Sequence, residues 1–171
     1  NAHAYYSDDH GKTFKLSQKV PFASSNVSLA AQVGDNEVYM TSRNQQLTPK
    51  QRVISISHDG GQTWVSSTPD ANLPDPINQG SVLSWKKGEK FILAHINAAD
   101  ENKRDNLTLR LSKDQGKTWY FNKVIAKSPE SYKGGAWSAY SDIVLLKKNS
   151  IGVLYEKDGY KEIVFVPVAI K

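Results

Sequence analysis

Hydrophobic and polar residues alternate along this chain in short runs, and no stretch carries the 3.6-residue period of an amphipathic helix. Runs such as Arg52-Val53-Ile54-Ser55-Ile56 and Leu107-Thr108-Leu109-Arg110-Leu111 have the two-residue period and β-branched content of strands. Residues 37–42, 81–85, 90–95, 143–146, 151–155 and 162–166 read the same way. Gly34-Asp35-Asn36, Lys86-Lys87-Gly88, Lys147-Lys148-Asn149 and Lys157-Asp158-Gly159 interrupt them with the residues of hairpin turns. The proline-bearing stretch from Thr68 to Pro76 is predicted to be a loop. These patterns predict an all-β chain.

A repeat organises it. Ser7-Asp8-Asp9-His10-Gly11-Lys12-Thr13-Phe14 is matched at 57–64 and again at 112–119, on the pattern Ser-x-Asp-x-Gly-x-Thr-aromatic. In the second and third copies a β-prone run leads into the motif, so it is expected to join two strands. Aspartate can accept backbone N–H bonds across such a turn, glycine can take a positive φ, and the aromatic is expected to pack beneath. The box aspartates Asp9, Asp59 and Asp114 are therefore read as turn-builders, not as catalytic or calcium-binding groups. A period near 50 residues with several short strands per period is that of a four-stranded propeller blade, and the 171 residues supply about three blades. Three blades do not close a ring, so residues 1–171 are expected to need a missing half or a partner chain.

Composition changes little in this picture. The net charge of +5 comes from dispersed lysines with no interleaved aromatics, which speaks against a nucleic-acid partner. No apolar run is long enough for a membrane span, and the first residues lack the signature of a signal peptide, so a mature soluble chain is expected. Without cysteine there is no disulfide framework and no thiolate metal site. His3, His10, His58 and His95 have no ligand spacing, and neither a metal nor a cofactor is expected.

The repeated motif is similar to the Asp box, and four further segments resemble exo-sialidases in the order that family shows. They are Tyr39-Met40-Thr41-Ser42-Arg43-Asn44, Gln79-Gly80-Ser81, Arg104-Asp105-Asn106-Leu107-Thr108, and Ser138-Ala139-Tyr140-Ser141-Asp142-Ile143 followed by Ile151 to Glu156. The resemblance implies the C-terminal half of a six-bladed propeller. It implies a retaining glycosidase that removes terminal α-linked sialic acid from glycoconjugates, with a sialylated glycan as partner and a secreted or cell-surface location. Tyr140 takes the place of the nucleophile, Arg43 and Arg104 those of two carboxylate-binding arginines, and Glu156 that of a glutamate that orients an arginine. The acid/base aspartate and a third arginine would come from the missing N-terminal half.

The chemistry suits those residue types. A planar guanidinium binds a carboxylate bidentately, as a lysine does not. Sialidases are exceptions among glycosidases in using tyrosine, and a neutral phenol avoids the repulsion that a carboxylate nucleophile would meet beside the substrate's own carboxylate. A phenol, with an ordinary pKa of about 10, needs a neighbouring base. Here the chain departs from the family: the expected glutamate, 16 residues before Arg43, is Val27, and a gapped match gives Ala30. Glu37 lies too close to its turn to replace it, whereas Asp142 shares a strand face with Tyr140. Loss of the base predicts the alternative of a sialoglycan-binding or catalytically impaired propeller. Arg52 and Arg110, on the strands entering the second and third boxes, are expected to be peripheral.

Overall fold

The computed structural model describes residues 1–147 and 149–170; Lys148, in one predicted turn, lies outside the described residues. Among the described residues there is no helix, and therefore none long and apolar enough to cross a membrane. A two-stranded sheet pairs β1 (Tyr5–Tyr6) with β2 (Lys15–Leu16). The second sheet is a meander of β3 (Ser25–Gln32), β4 (Val38–Asn44), β5 (Gln51–Ser57) and β6 (Ser66–Pro74). The third repeats it with β7 (Gly80–Lys87), β8 (Lys90–Ala98), β9 (Leu107–Ser112) and β10 (Phe121–Ala126). The fourth has β11 (Ser138–Leu146), β12 (Ser150–Lys157) and β13 (Glu162–Ala169).

Within each sheet every strand pairs antiparallel with its neighbour in sequence, and the opening strands β3, β7 and β11 touch one another in turn. That is the arrangement of adjacent propeller blades, each sheet packing face-on against the next. Ile96, Leu107, Leu109 and Leu111 of the third sheet interlock with Ile151, Val153 and Val168 of the fourth. Tyr39, Val33, Val82 and Leu93 fill the space between the second and third. Strand β9 is buried along its whole length, which is why its apolar residues are so dense. On the far face of the fourth sheet Val144, Leu154, Ile163 and Phe165 are exposed, Ile163 by 65%.

The predicted loop at Thr68 to Pro76 is instead largely strand β6. Proline lacks a donor, and β6 is an edge strand, the position where that loss is tolerated. Its pairing with β5 slips between Gln51 and Val53, which face Pro74 and Pro69, so the prolines fall about a bulge.

The three boxes connect β1 to β2, β5 to β6 and β9 to β10 with one hydrogen-bond pattern. In the second, Asp59 Oδ1 accepts from Ser57 Oγ (2.7 Å) and Thr63 N (2.9 Å), Asp59 Oδ2 accepts from Thr63 Oγ1 (2.5 Å), and Gly61 N donates to Ser57 Oγ (2.9 Å). The same set recurs on Asp9 and Asp114. Gly11, Gly61 and Gly116 take φ of 82°, 90° and 87°, as the turn requires. Bonds from Thr13 and Thr63 hold the Asp9 and Asp59 carboxyls at about 2. The aromatic packs beneath in one case and not in another: Trp64 is buried on Val20 and Met40, but Phe14 is 66% exposed. The two-stranded sheet offers Phe14 nothing to lie against.

Candidate functional site

Register decides which residues can meet. Val38 pairs with Ser57, so Arg43 sits at the end of β4 opposite the second box. Arg104 precedes β9, whose other end enters the third box. Tyr140 opens β11, and Glu156 ends β12 across from it. These residues therefore gather at the end of the sheets opposite the Asp boxes. Arg43 Nη1 donates to the Tyr140 hydroxyl at 3.2 Å. The Arg104 guanidinium lies 5.5 Å from the centre of the Tyr140 ring, and its Nη1 donates to the hydroxyl of Tyr160 at 2.8 Å. Both arginines are half-buried, and among the described residues neither is ion-paired to a carboxylate. Arg43 Nε is buried with no partner. Two guanidiniums on one exposed phenol, neither of them ion-paired among the described residues, are an arrangement able to hold an external anion.

The backbone of Tyr140 is held in an unusual way. Pairing between β11 and β12 breaks from Ser138 to Ser141, which removes the ladder partners of the residues between. Side chains replace them. Asn78 Nδ2 donates to the Ala139 carbonyl (2.7 Å), the Tyr140 amide donates to Glu156 Oε2 (3.1 Å), and the Ser141 amide donates to Gln79 Oε1 (2.9 Å). Asn78 and Gln79 belong to the connection into the neighbouring sheet, so Tyr140 is mounted across two blades. Among the described residues Glu156 holds that amide and neither Arg43 nor Arg104.

Val27 is the extra residue of a bulge, between the pairs Asn26–Arg43 and Ser28–Ser42, with φ of 42°. For a β-branched side chain that left-handed conformation is strained. With Tyr140, Leu29, Asp142, Leu154 and Ile163 it lines a largely apolar cavity of about 440 Å³. Asp142 shares the exposed face of Tyr140, and its Oδ1 accepts from Ser81 Oγ at 2.6 Å and from the Ile143 amide. Glu37 is remote from this cavity, since its Oε1 meets His58 Nδ1 at 2.8 Å beside the second box. Ala30 pairs with Met40 in mid-strand.

The BNR repeat-like domain matches residues 1–153 of the chain. The chain belongs to that family. Among curated relatives, a sialidase of Micromonospora viridifaciens is 31% identical over 157 residues, covering 88% of this chain and 23% of the relative. A sialidase of Bacteroides fragilis is 29% identical over 167 residues, covering 91% of this chain and 28% of the relative. A solved structure described as a Hadza microbial sialidase superposes with a TM-score of 0.78 over 97% of this chain and 31% of its own, at 20% identity. The chain thus spans about a quarter of the length of the curated relatives it matches.

Behind the site, this BNR-type chain buries charge. Arg52, expected at the periphery, is fully buried between the second and third sheets. Its Nε donates to Thr41 Oγ1 (3.0 Å), its Nη1 to the Asn78 carbonyl (2.5 Å), and Asp75 Oδ1 lies 3.6 Å from it. Asp75 Oδ2 in turn accepts from the Asn78 amide at 3.1 Å. Burial raises the Asp75 carboxyl and lowers the Arg52 guanidinium, each effect offset in part by the other's charge. Thr41 Oγ1 also meets Nε2 of His95, whose pKa burial depresses well below 6.5. Arg110, likewise expected to be peripheral, is 7% exposed and donates to Asn97 Oδ1 at 3.0 Å. Both arginines occupy inward positions on strands whose two faces are covered, so alternation alone could not show that they are buried. Among the described residues no cluster of three His, Asp or Glu side chains is arranged for a metal.

Sequence reasoning missed Asn78 and Tyr160 as parts of this region. Asn78 carries no motif. Tyr160 stands in the turn after Lys157-Asp158-Gly159 at φ of 69°, and only folding brings it to Arg104.

Proposed function

We propose that this chain is the C-terminal part of the catalytic propeller of an exo-sialidase, acting on terminal α-linked sialic acids or related nonulosonic acids of glycoconjugates at the cell surface or outside it. The observation that carries the reading is the convergence of Arg43 and Arg104 on Tyr140, at 3.2 Å and 5.5 Å, with neither arginine ion-paired to a carboxylate among the described residues. Arg43 and Arg104 bind the substrate carboxylate, which sets the anomeric carbon against the Tyr140 oxygen. The phenolic oxygen attacks that carbon as its own proton passes to a base or to water, while the glycosidic bond breaks and the aglycone oxygen takes a proton from the acid/base group. Water then cleaves the tyrosyl–sugar bond, so configuration is retained. Glu156 keeps Tyr140 in place through its amide.

The rest of the protein supplies the acid/base group, a further arginine and the remaining blades. The chain's share of its relatives' length and the exposed apolar face of Val144, Leu154, Ile163 and Phe165 support that division. Val27 favours a second reading, a propeller that binds sialoglycans but turns them over slowly, because it is valine that lines the cavity beside Tyr140. Hydrolysis of a fluorogenic sialoside by the complete protein separates the two. Activity abolished by Tyr140→Phe establishes the enzyme. Binding of the sialoside without turnover establishes the second reading, and neither binding nor turnover refutes both.

A further inference from the structure

A second cavity, of about 370 Å³, lies between the second and third sheets and shares no residue with the Tyr140 site. Asn72 of β6 forms one wall; Arg110 of β9, Lys117, Thr118, Trp119 and Asn122 of β10 form the others. Four features in and beside it are unexplained by folding alone. Arg110 is 93% buried by its 7% exposure, yet its one hydrogen bond goes to an amide, Asn97, and among the described residues no ion pair reaches it. Burial lowers its pKa, the mark of a charge taken from water without full compensation. The indole N–H of Trp119 is buried and has no acceptor among the described residues. An adjoining groove, sharing Asn72 and Lys117, is lined by Tyr39, whose buried hydroxyl also lacks a partner.

A buried cation whose counter-charge stands beyond ion-pair distance is costly, and Arg110 has only Asp70 in that position. Asn72 Nδ2 donates to Asp70, Asn122 Nδ2 to the Trp119 carbonyl and Thr118 Oγ1 to Asp114, so these walls offer their remaining oxygens as acceptors. The nearest acid on the lining of the adjoining groove is Asp70. Its Oδ1 is engaged by the amide and side chain of Asn72, at 2.8 and 3.0 Å, and it forms no ion pair with Arg110. No carboxylate lines the smaller cavity itself. We propose that this cavity is a binding site for an acidic sugar, with the carboxylate or sulfate on Arg110 and Lys117, the ring beside Trp119, and the hydroxyls on Asn72, Asn122 and Thr118. Guanidinium and ammonium groups together select an oxyanion, the side-chain oxygens of Asn72, Asn122 and Thr118 can accept from sugar hydroxyls, and the volume fits one monosaccharide. Asp70 repels a second negative charge, so the anion is confined to the Arg110 end. The site is built by two complete four-stranded sheets and is indifferent to the chemistry at Tyr140.

The test uses the complete protein carrying Arg43→Ala, so that the Tyr140 site does not answer for this one, and follows the Trp119 indole N–H resonance. Glucuronate, inorganic sulfate and glucose are the probes. We expect saturable shifts with glucuronate, none with glucose, and binding weakened about tenfold or more by Lys117→Glu and lost in Arg110→Met. Sulfate acting like glucuronate would mean that the oxyanion alone is recognised, which still supports the site. Arg110 is buried and its variant is open to misfolding; Lys117 is exposed, so Lys117→Glu then decides. No saturable shift with either anion, or affinity unchanged in Lys117→Glu, overturns the proposal.

Discussion

Asn78→Ala strikes the mount of Tyr140 without touching the groups that meet substrate. The substitution deletes the 2.7 Å bond to the Ala139 carbonyl and leaves that buried acceptor in a stretch of β11 that has no ladder partner. Stranding a buried carbonyl costs about 1–3 kcal/mol, a large share of the roughly 5–15 kcal/mol by which a domain is stable. That energy is concentrated on three residues. Gln79 and Glu156 still hold the amides of Ser141 and Tyr140, so the segment loosens but does not detach. Local opening should rise by roughly tenfold to a hundredfold, and amide hydrogen exchange at Tyr140 and Ser141 should accelerate by that factor. A displacement of about 1 Å in a reacting group costs on the order of 10²-fold in rate, so kcat on a fluorogenic sialoside should fall about 10–100-fold. KM should move less, because Arg43 stands on β4 and Arg104 on the segment before β9. Unchanged exchange at both amides, together with kcat within about twofold of wild type, would refute the mount.

Val27→Glu places a carboxylate in the cavity with Tyr140 and relieves a β-branched residue at φ of 42°; turnover should rise about tenfold or more, and unchanged turnover in a folded variant would put the base elsewhere. Gly116→Ala sets a Cβ 2.6 Å from Tyr39 Cε2 at φ of 87°, whereas Gly60→Ala, at φ of 73°, meets nothing within 4 Å; denaturant titration should find the first worse by about 1 kcal/mol or more, and equal losses would sink the packing argument. His95 stays neutral in the folded protein to well below 6.5, so the unfolded chain takes up the proton first as pH falls. Stability should therefore hold above about pH 6.5 and decline below it by up to ~1.4 kcal/mol per pH unit, a slope that His95→Asn should remove; identical pH profiles for the two proteins would contradict it.

The strands, their hairpins and the Asp boxes were legible in the sequence because the forces that set them are local. A two-residue period places side chains on two faces wherever the strand ends up, and Ser57, Asp59, Gly61 and Thr63 bond one another within a single turn. Arg43, Arg104 and Tyr140 were marked by the resemblance of their segments to exo-sialidases, and register carries Arg43 to the end of β4 opposite the second box. Tertiary structure decided the rest. Thr68 to Pro74 is a strand because β5 offers an edge. Arg52 is buried because its blade has a neighbour on that side, and Asp75 meets it across a connection. The backbone of Tyr140 hangs on Asn78, Gln79 and Glu156 because a slip in pairing left its polar groups unpaired, and a buried N–H or C=O must find a partner wherever one stands, however distant in sequence.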